Sequence, residues 1–337
     1  SKLKISDINN DGVLEIIQIG LTSENTTSGI PKLYIYNYEV NTNQDGVSSG
    51  SFVQKDISDQ ISKLTDSSFD IGDYDNDQDI DLIITGFDVS NGLSTVIYNN
   101  VTIPGSNDYQ FESTQNQLGA SRGGSINFFD MENDGDLDVI VTGTSFNGDV
   151  FEVYENKVNE NIFDWEKLET NIPGLRSSKI DFGDFNGDGY YDLLFSGIQS
   201  GLGKISELRE FNPSSNSFSK SSFDIGEIVD ADVEFGDIDG DGDLDFVFSG
   251  TNKNNENYHT ISTFLNVRTE SAIASSNSAN SSFNKESSGS YGMGVRKLSQ
   301  NTTNNSYVIN NPPDVPILND VKLISEQNRN DDKVLVE

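Results

Sequence analysis

One acidic phrase of ten residues recurs five times in this chain, and each copy opens onto an apolar run. The copies read DINNDGVLEI from Asp7, DYDNDQDIDL from Asp73, DMENDGDLDV from Asp130, DFNGDGYYDL from Asp184 and DIDGDGDLDF from Asp237. Their starts lie 66, 57, 54 and 53 residues apart. A glycine stands thirteen residues after each first aspartate, at Gly20, Gly86, Gly143, Gly197 and Gly250. A period of this size restricts the chain to repeat architectures, in which each unit buries its apolar faces against its neighbours.

Every unit shows the same order of elements. A first strand is expected before each acidic loop, at Lys2–Ser6, Ser68–Gly72, Ser125–Phe129, Lys179–Gly183 and Asp232–Gly236. A second follows it, as LEIIQIG, IDLIITG, LDVIVTG, YDLLFSG and LDFVFSG. The third carries aromatics, as KLYIYNYE, STVIYNN, VFEVYEN, ISELREF and HTISTFLN. A short fourth strand is expected around Phe52, Phe111, Phe163 and Phe218. β-Branched and aromatic residues fill these runs, with Gly, Asn, Asp and Ser between them. Four antiparallel strands in roughly 50 residues make one blade of a β-propeller. The expected fold is therefore all-β, a propeller with five clear four-stranded blades.

The propeller is expected over residues 1–305. Its last part, 270–305, is of low complexity: residues 271–290 contain 12 serines or asparagines. There Phe283 is expected to mark the fourth strand of the fifth blade, and Tyr291–Leu298 to open a degenerate sixth. The prolines of Asn310–Ser325 punctuate a boundary. Residues 306–337 read as a linker and the start of a fibronectin type III-like domain.

Charge narrows the partners. The net charge is −34. Residues 1–250 carry 46 acidic and 13 basic side chains, whereas 251–337 carry 9 and 8, so the acidity belongs to the repeats. Nucleic acid needs a basic footprint and anionic membrane repels such a surface, so neither is an expected partner. No apolar run approaches the roughly 18 residues of a membrane helix, and membrane insertion is not expected. The absence of cysteine excludes disulfides and thiol chemistry. The sequence opens at Ser1 without a signal peptide, so a piece of a larger multidomain chain is expected.

General solubility does not explain why 21 of the 55 acids fall inside the five loops. Carboxylates at alternate positions of a tight loop repel one another unless a cation sits among them, and calcium takes many oxygens at flexible geometry. Up to five Ca²⁺ sites are expected, with ligands at loop positions one, three, five, seven and nine. These are Asp7, Asn9, Asp11, Val13 and Glu15; Asp73, Asp75, Asp77, Asp79 and Asp81; Asp130, Glu132, Asp134, Asp136 and Asp138; Asp184, Asn186, Asp188, Tyr190 and Asp192; and Asp237, Asp239, Asp241, Asp243 and Asp245. Position seven varies freely, as expected of a main-chain carbonyl ligand. Glycine at position six permits the turn, and Gln78 is expected to strain it in the second loop. An EF-hand needs a glutamate at position twelve between two helices. Here that position holds Gln18, Ile84, Val141, Phe195 and Phe248, all in expected strands.

The phrases FDIGDYDNDQDIDLIITG, IDFGDFNGDGYYDLLFSG and VEFGDIDGDGDLDFVFSG resemble the FG-GAP repeats of the integrin α-subunit propeller and the related VCBS-type repeats of secreted bacterial proteins. The resemblance covers about residues 1–265. It implies calcium at the loop positions just named. It also implies an extracellular, secreted or cell-surface, non-catalytic module for adhesion or ligand binding. An extracellular protein or glycan is the implied ligand, expected on the face formed by segments 87–94, 144–150, 198–204 and 251–258.

Other chemistry has thinner support. Gly119–Gly123 spells a G-x-S-x-G motif around Ser121, but the motif needs a strand before it and a helix after it. The one histidine, His259, falls in a third strand. Paired carboxylates suit glycoside hydrolysis, yet calcium ligands are ionised and supply no proton. Trp165, Tyr98, Tyr154 and Phe146 are candidates for stacking on sugars or for packing between blades. A carbohydrate-binding module, or the non-catalytic part of a carbohydrate-active enzyme, is the alternative function.

Overall fold

The computed structural model describes residues 2–22, 30–42, 48–88, 90–114, 116–157, 165–222, 225, 228–252, 255–266 and 295–299. They form five four-stranded antiparallel sheets arranged as the blades of a β-propeller. Blade one comprises β1 (Lys2–Ser6), β2 (Glu15–Thr22), β3 (Ile30–Thr42) and β4 (Ser48–Asp56). Blade two comprises β5 (Thr65–Gly72), β6 (Asp81–Asp88), β7 (Gly92–Asn100) and β8 (Phe111–Ser113). Blade three comprises β9 (Ile126–Phe129), β10 (Asp138–Ser145), β11 (Gly148–Asn156) and β12 (Trp165–Leu168). Blade four comprises β13 (Leu175–Gly183), β14 (Asp192–Gln199), β15 (Gly203–Asn212) and β16 (Ser217–Lys220). Blade five comprises β17 (Ile228–Gly236), β18 (Asp245–Asn252), β19 (Asn255–Asn266) and β20 (Val295–Ser299).

The second strands are apolar at consecutive positions because both of their faces are covered. Leu82 and Ile84 pack toward Ile17, Ile19, Leu33 and Ile35 of blade one. Ile83 between them packs toward Ile126, Val139 and Val141 of blade three. Blade three repeats the arrangement, with Ile140 facing Leu193 and Phe195 of blade four. Leu194 then faces Phe246 and Phe248 of blade five. At roughly 1.5–3 kcal/mol for each large apolar side chain fully buried, these inter-blade clusters dominate the stability of the fold. The apolar residue at loop position two locks each joint. Ile8, Met131 and Phe185 are buried in the cluster shared with the following blade.

The outward faces of blades one and five differ. Leu3 and Ile5 hold the places that Phe69 and Ile71 occupy in blade two, yet they are 59% and 62% exposed. On blade five, Ile238 at loop position two and Ile261 are 48% and 61% exposed.

Three first strands start earlier than the sequence pattern suggests, because a bulge lengthens them. The register shifts at Thr65/Ser68, Arg176/Lys179 and Val229/Asp232. One residue of each bulge is left-handed: Asp66 (φ 47°), Ser177 (φ 51°) and Asp230 (φ 49°). The recurring glycine of the second strand lies against this bulge. A Cβ on Gly86 would stand 2.9 Å from the Thr65 carbonyl oxygen, and one on Gly250 would stand 2.7 Å from that of Val229.

One expectation about strands needs correction. The stretch Tyr291–Leu298 does not open a sixth blade: Val295–Ser299 pairs with Ser262–Asn266 and completes blade five. The open edge of β19 is satisfied across a long connection, whose closure cost grows slowly with length. The fourth strand of blade three is Trp165–Leu168, whereas Phe163, like Phe283 and residues 306–337, lies outside the described residues.

Candidate metal centres

Each acidic loop joins the first and second strands of its blade, and its five copies share one hydrogen-bond plan. The position-one aspartate caps the turn from inside. Asp7 accepts from the N–H of Asp11 (3.1 Å) and Gly12 (2.8 Å), and Asp73 from Asp77 and Gln78 (both 3.0 Å). Asp130, Asp184 and Asp237 do the same for Gly135, Gly189 and Gly242. The position-five carboxylate accepts the N–H of position seven, as in Asp11 with Val13 (2.8 Å) and Asp77 with Asp79 (3.1 Å). The chain wraps this way because positions four and six are both left-handed. Position four holds Asn10, Asn76, Asn133, Gly187 and Gly240, and position six holds Gly12, Gln78, Gly135, Gly189 and Gly242. Asparagine and glycine tolerate that region, whereas Gln78 at φ 77° does not share their ease.

The position-nine acid is the buried anchor. Glu15, Asp81, Asp138, Asp192 and Asp245 are all essentially inaccessible. One oxygen accepts the N–H of loop position two: Ile8 to Glu15 (2.8 Å), Met131 to Asp138 (2.8 Å), Phe185 to Asp192 (3.1 Å) and Ile238 to Asp245 (2.8 Å). In blades two to five the other oxygen accepts a main-chain N–H at the end of the third strand. The donors are Asn100 to Asp81 (2.9 Å), Asn156 to Asp138 (2.9 Å), Phe211 to Asp192 (3.0 Å) and Asn266 to Asp245 (2.7 Å). Burial raises all five carboxyls, Asp192 to about 7, Asp81 to about 8 and Asp138 to about 9. Hydrogen bonds from the main chain oppose that rise, and neighbouring loop acids add to it.

Two loops gather carboxylates most closely. Oxygens of Asp73, Asp75 and Asp81 lie within 4.8 Å of one another, as do those of Asp237, Asp239 and Asp245. In loops one and four, position three is an asparagine whose amide nitrogen engages the position-five carboxylate, Asn9 to Asp11 (3.2 Å) and Asn186 to Asp188 (3.0 Å). In loop three the extra methylene of Glu132 brings its carboxyl into hydrogen-bond contact with Asp138, and burial pushes Glu132 up to about 7.

Position seven divides the loops. Val13 is exposed and Tyr190 packs its ring 5.9 Å from that of Phe211. Asp136 and Asp243 are buried, and Asp79 turns inward to contact Asp77 and Asp81. Burial, then the Asp77 charge, pushes Asp79 up to about 6. Where position seven is aspartate, the side chain adds an oxygen that the sequence pattern did not assign.

These residues fit a hard divalent cation. The donors are all oxygens, mostly carboxylate, on a loop that wraps an interior. Buried Asp75 Oδ1 and Asp79 Oδ1 have no hydrogen-bond partner. An ionised carboxylate only accepts, so such atoms require a cation or a proton. The position-twelve residues Ile84, Val141, Phe195 and Phe248 are buried in second strands, which removes the EF-hand geometry.

Sequence reasoning missed Asn100, Asn156 and Asn266. They end the third strand 27, 26 and 29 residues after the first aspartate of their loops, a recurrence visible in the text. Ser121 of the G-x-S-x-G match is buried, and its hydroxyl donates to the Thr142 carbonyl (2.6 Å). Tyr98 and Tyr154 are buried, Trp165 stacks on Tyr74 at 6.1 Å, and Phe146 is 76% exposed. The side chain of His259 lies outside the described residues.

A family model for an FG-GAP-like repeat matches residues 130–195. The match runs from the first aspartate of loop three into the second strand of blade four, and so takes in both loop three and loop four. No curated protein matches the chain. The chain thus carries an FG-GAP-like repeat, and its described residues form five β-propeller blades whose acidic loops share one hydrogen-bond plan.

Proposed function

We propose that the acidic loops are calcium sites and that the propeller is a non-catalytic, extracellular module for adhesion or ligand binding in a secreted or cell-surface protein. The observation that carries the calcium reading is the clustering of three carboxylates within 4.8 Å in loops two and five. At such a separation, two unit charges repel by roughly 3 kcal/mol at the effective dielectric of a protein surface. Calcium relieves that repulsion and satisfies the unpartnered oxygens, so its binding free energy adds to folding. Asp73, Asp75, Asp77 and Asp81 would hold it in loop two, with Asp79 beside them. Asp237, Asp239, Asp241 and Asp245 would hold it in loop five.

The ligand-binding part of the reading rests on the opposite ends of the second strands. There the hairpins β6–β7, β10–β11, β14–β15 and β18–β19 turn, within the variable segments. Two hairpin tips carry solvent-facing apolar residues, Phe146 at 76% and Leu202 at 68% exposure. An extracellular protein suits such tips better than a glycan, because Tyr98, Tyr154 and Trp165 are already packed. Thermal unfolding with calcium and with chelator tests the first part: chelator is expected to lower the melting temperature. An unchanged melting temperature would refute calcium stabilisation. Binding screens against extracellular proteins and glycans, with Phe146→Ala and Leu202→Ala, test the second. Glycan binding that survives both changes would favour the carbohydrate-binding alternative.

A further inference from the structure

At all four internal joints, the main-chain carbonyl of loop position two is gripped by the following blade. Asn100 Nδ2 donates to Ile8 O (2.8 Å) in loop one and to Ile80 O (3.1 Å) in loop two, so one amide spans two acidic loops. Asn156 Nδ2 repeats this with Tyr74 O (2.8 Å) and Leu137 O (3.0 Å). Asn266 Nδ2 donates to Phe185 O (2.9 Å). At the joint of blades three and four Phe211 stands in the place of the asparagine, and Met131 O accepts the N–H of Tyr191 in loop four directly (3.0 Å). The three asparagines are buried. Each also donates its own main-chain N–H to the position-nine carboxylate of its blade, as described above. Loops one and two have a second bridge, from Asn10 Nδ2 to Gln78 O (3.1 Å).

We propose that the five acidic loops bind calcium as a chain of nearest-neighbour-coupled sites, with Asn100, Asn156 and Asn266 as the positioning residues at three of the four joints and the Tyr191 main-chain N–H at the other. The proposal rests on the reading of the loops as calcium sites. Calcium in loop two fixes Asp81, which holds the main chain of Asn100. The Asn100 amide then fixes the Ile8 carbonyl, which lies between Asp7 and Asn9, the first two ligands of loop one. A loop already ordered by its neighbour has less conformational freedom to lose when its own ion arrives, and the effect is reciprocal. Stability and occupancy then spread from blade to blade, as in other repeat arrays.

The test uses the full chain and calcium alone. Asp75→Asn disables loop two, and amide hydrogen exchange at Asp11 and Gly12 reads the calcium midpoint of loop one. Asp75→Asn is expected to raise that midpoint at least about fivefold, the lower end of typical coupling. In an Asn100→Ala background the same change is expected to shift the loop-one midpoint markedly less, the remainder coming from the lost charge and the Asn10–Gln78 bridge. The cycle subtracts the charge that Asp75→Asn removes and any general loss of stability from Asn100→Ala. Should Asn100→Ala fail to fold, Asn266→Ala with Asp239→Asn, read at Asp188 and Gly189, asks the same question of loops four and five. Protection by calcium with no shift on Asp75→Asn overturns the coupling and leaves the calcium reading standing. A shift that is undiminished in Asn100→Ala overturns the role of the asparagine. Absence of calcium protection in the unaltered chain removes the calcium reading, and the coupling with it.

Discussion

Gln78 is the most economical place to test the turn chemistry of these loops. At position six the backbone φ is 86°, 77°, 92°, 92° and 89° from loop one to loop five, and only the second loop puts a side chain there. A non-glycine residue in the left-handed region costs about 1–2 kcal/mol. Glycine in its place costs roughly 0.5–1 kcal/mol of extra chain entropy on folding. Gln78→Gly is therefore expected to stabilise the protein by about 0.5–1 kcal/mol. The bonds of residue 78 are main-chain, its N–H to Asp73 Oδ2 (3.0 Å) and its carbonyl oxygen to Asn10 (3.1 Å), so the substitution keeps them. For a body of this size that gain corresponds to a rise of roughly 1–4 °C in melting temperature. Urea unfolding gives the free energy directly. The converse change, Gly135→Gln in loop three, is expected to cost a similar amount. A neutral or destabilising Gln78→Gly together with a neutral Gly135→Gln would refute the claim that left-handed backbone at position six shapes these loops.

Further expectations concern charge. In chelator, Asp79 and Asp81 are raised to about 6 and about 8 in the folded state, above their unfolded values, so each stabilises most at low pH. Metal-free protein is then expected to lose stability as pH rises from about 4 through 8, whereas excess calcium flattens that slope; melting curves against pH check both. Added salt is expected to recover part of the stability lost in chelator, because it screens the loop carboxylates, and melting curves in rising sodium chloride read the effect. Between blades three and four, Asp149 accepts from Arg176 Nη1 (2.6 Å), Ser200 Oγ (2.6 Å) and Thr144 Oγ1 (2.9 Å). Those partners hold its carboxyl below the usual range against the opposing effect of burial. Its contribution is present above the unfolded aspartate value near pH 4 and lost as pH falls below it. Asp149→Ala is expected to destabilise by about 1–3 kcal/mol in urea unfolding at pH 7.

The blades were legible because their causes are local and repeated. A strand buried on both faces must be apolar at consecutive positions, and IDLIITG and LDVIVTG say so directly. The acidic loops were legible for the same reason, since alternate carboxylates around a turn have few other uses. What escaped the sequence depends on distant partners. Asn100 bonds to Ile8 across 92 positions, and nothing near Asn100 in the text announces that contact. The inward turn of Asp79 depends on space left by its loop, not on its neighbours in sequence. The bulges at Asp66, Ser177 and Asp230 arise where the first strand passes the recurring glycine. That glycine was visible, but the reason for it was not. Val295–Ser299 reaches the edge of β19 across a polar stretch without strand signals, which placed it one blade too late.

Anomalous X-ray scattering from crystals grown with calcium tests the central claim most directly. The account predicts peaks among Asp73, Asp75 and Asp81, and among Asp237, Asp239 and Asp245. Ordered loops in calcium-saturated crystals without a peak at either cluster would contradict it.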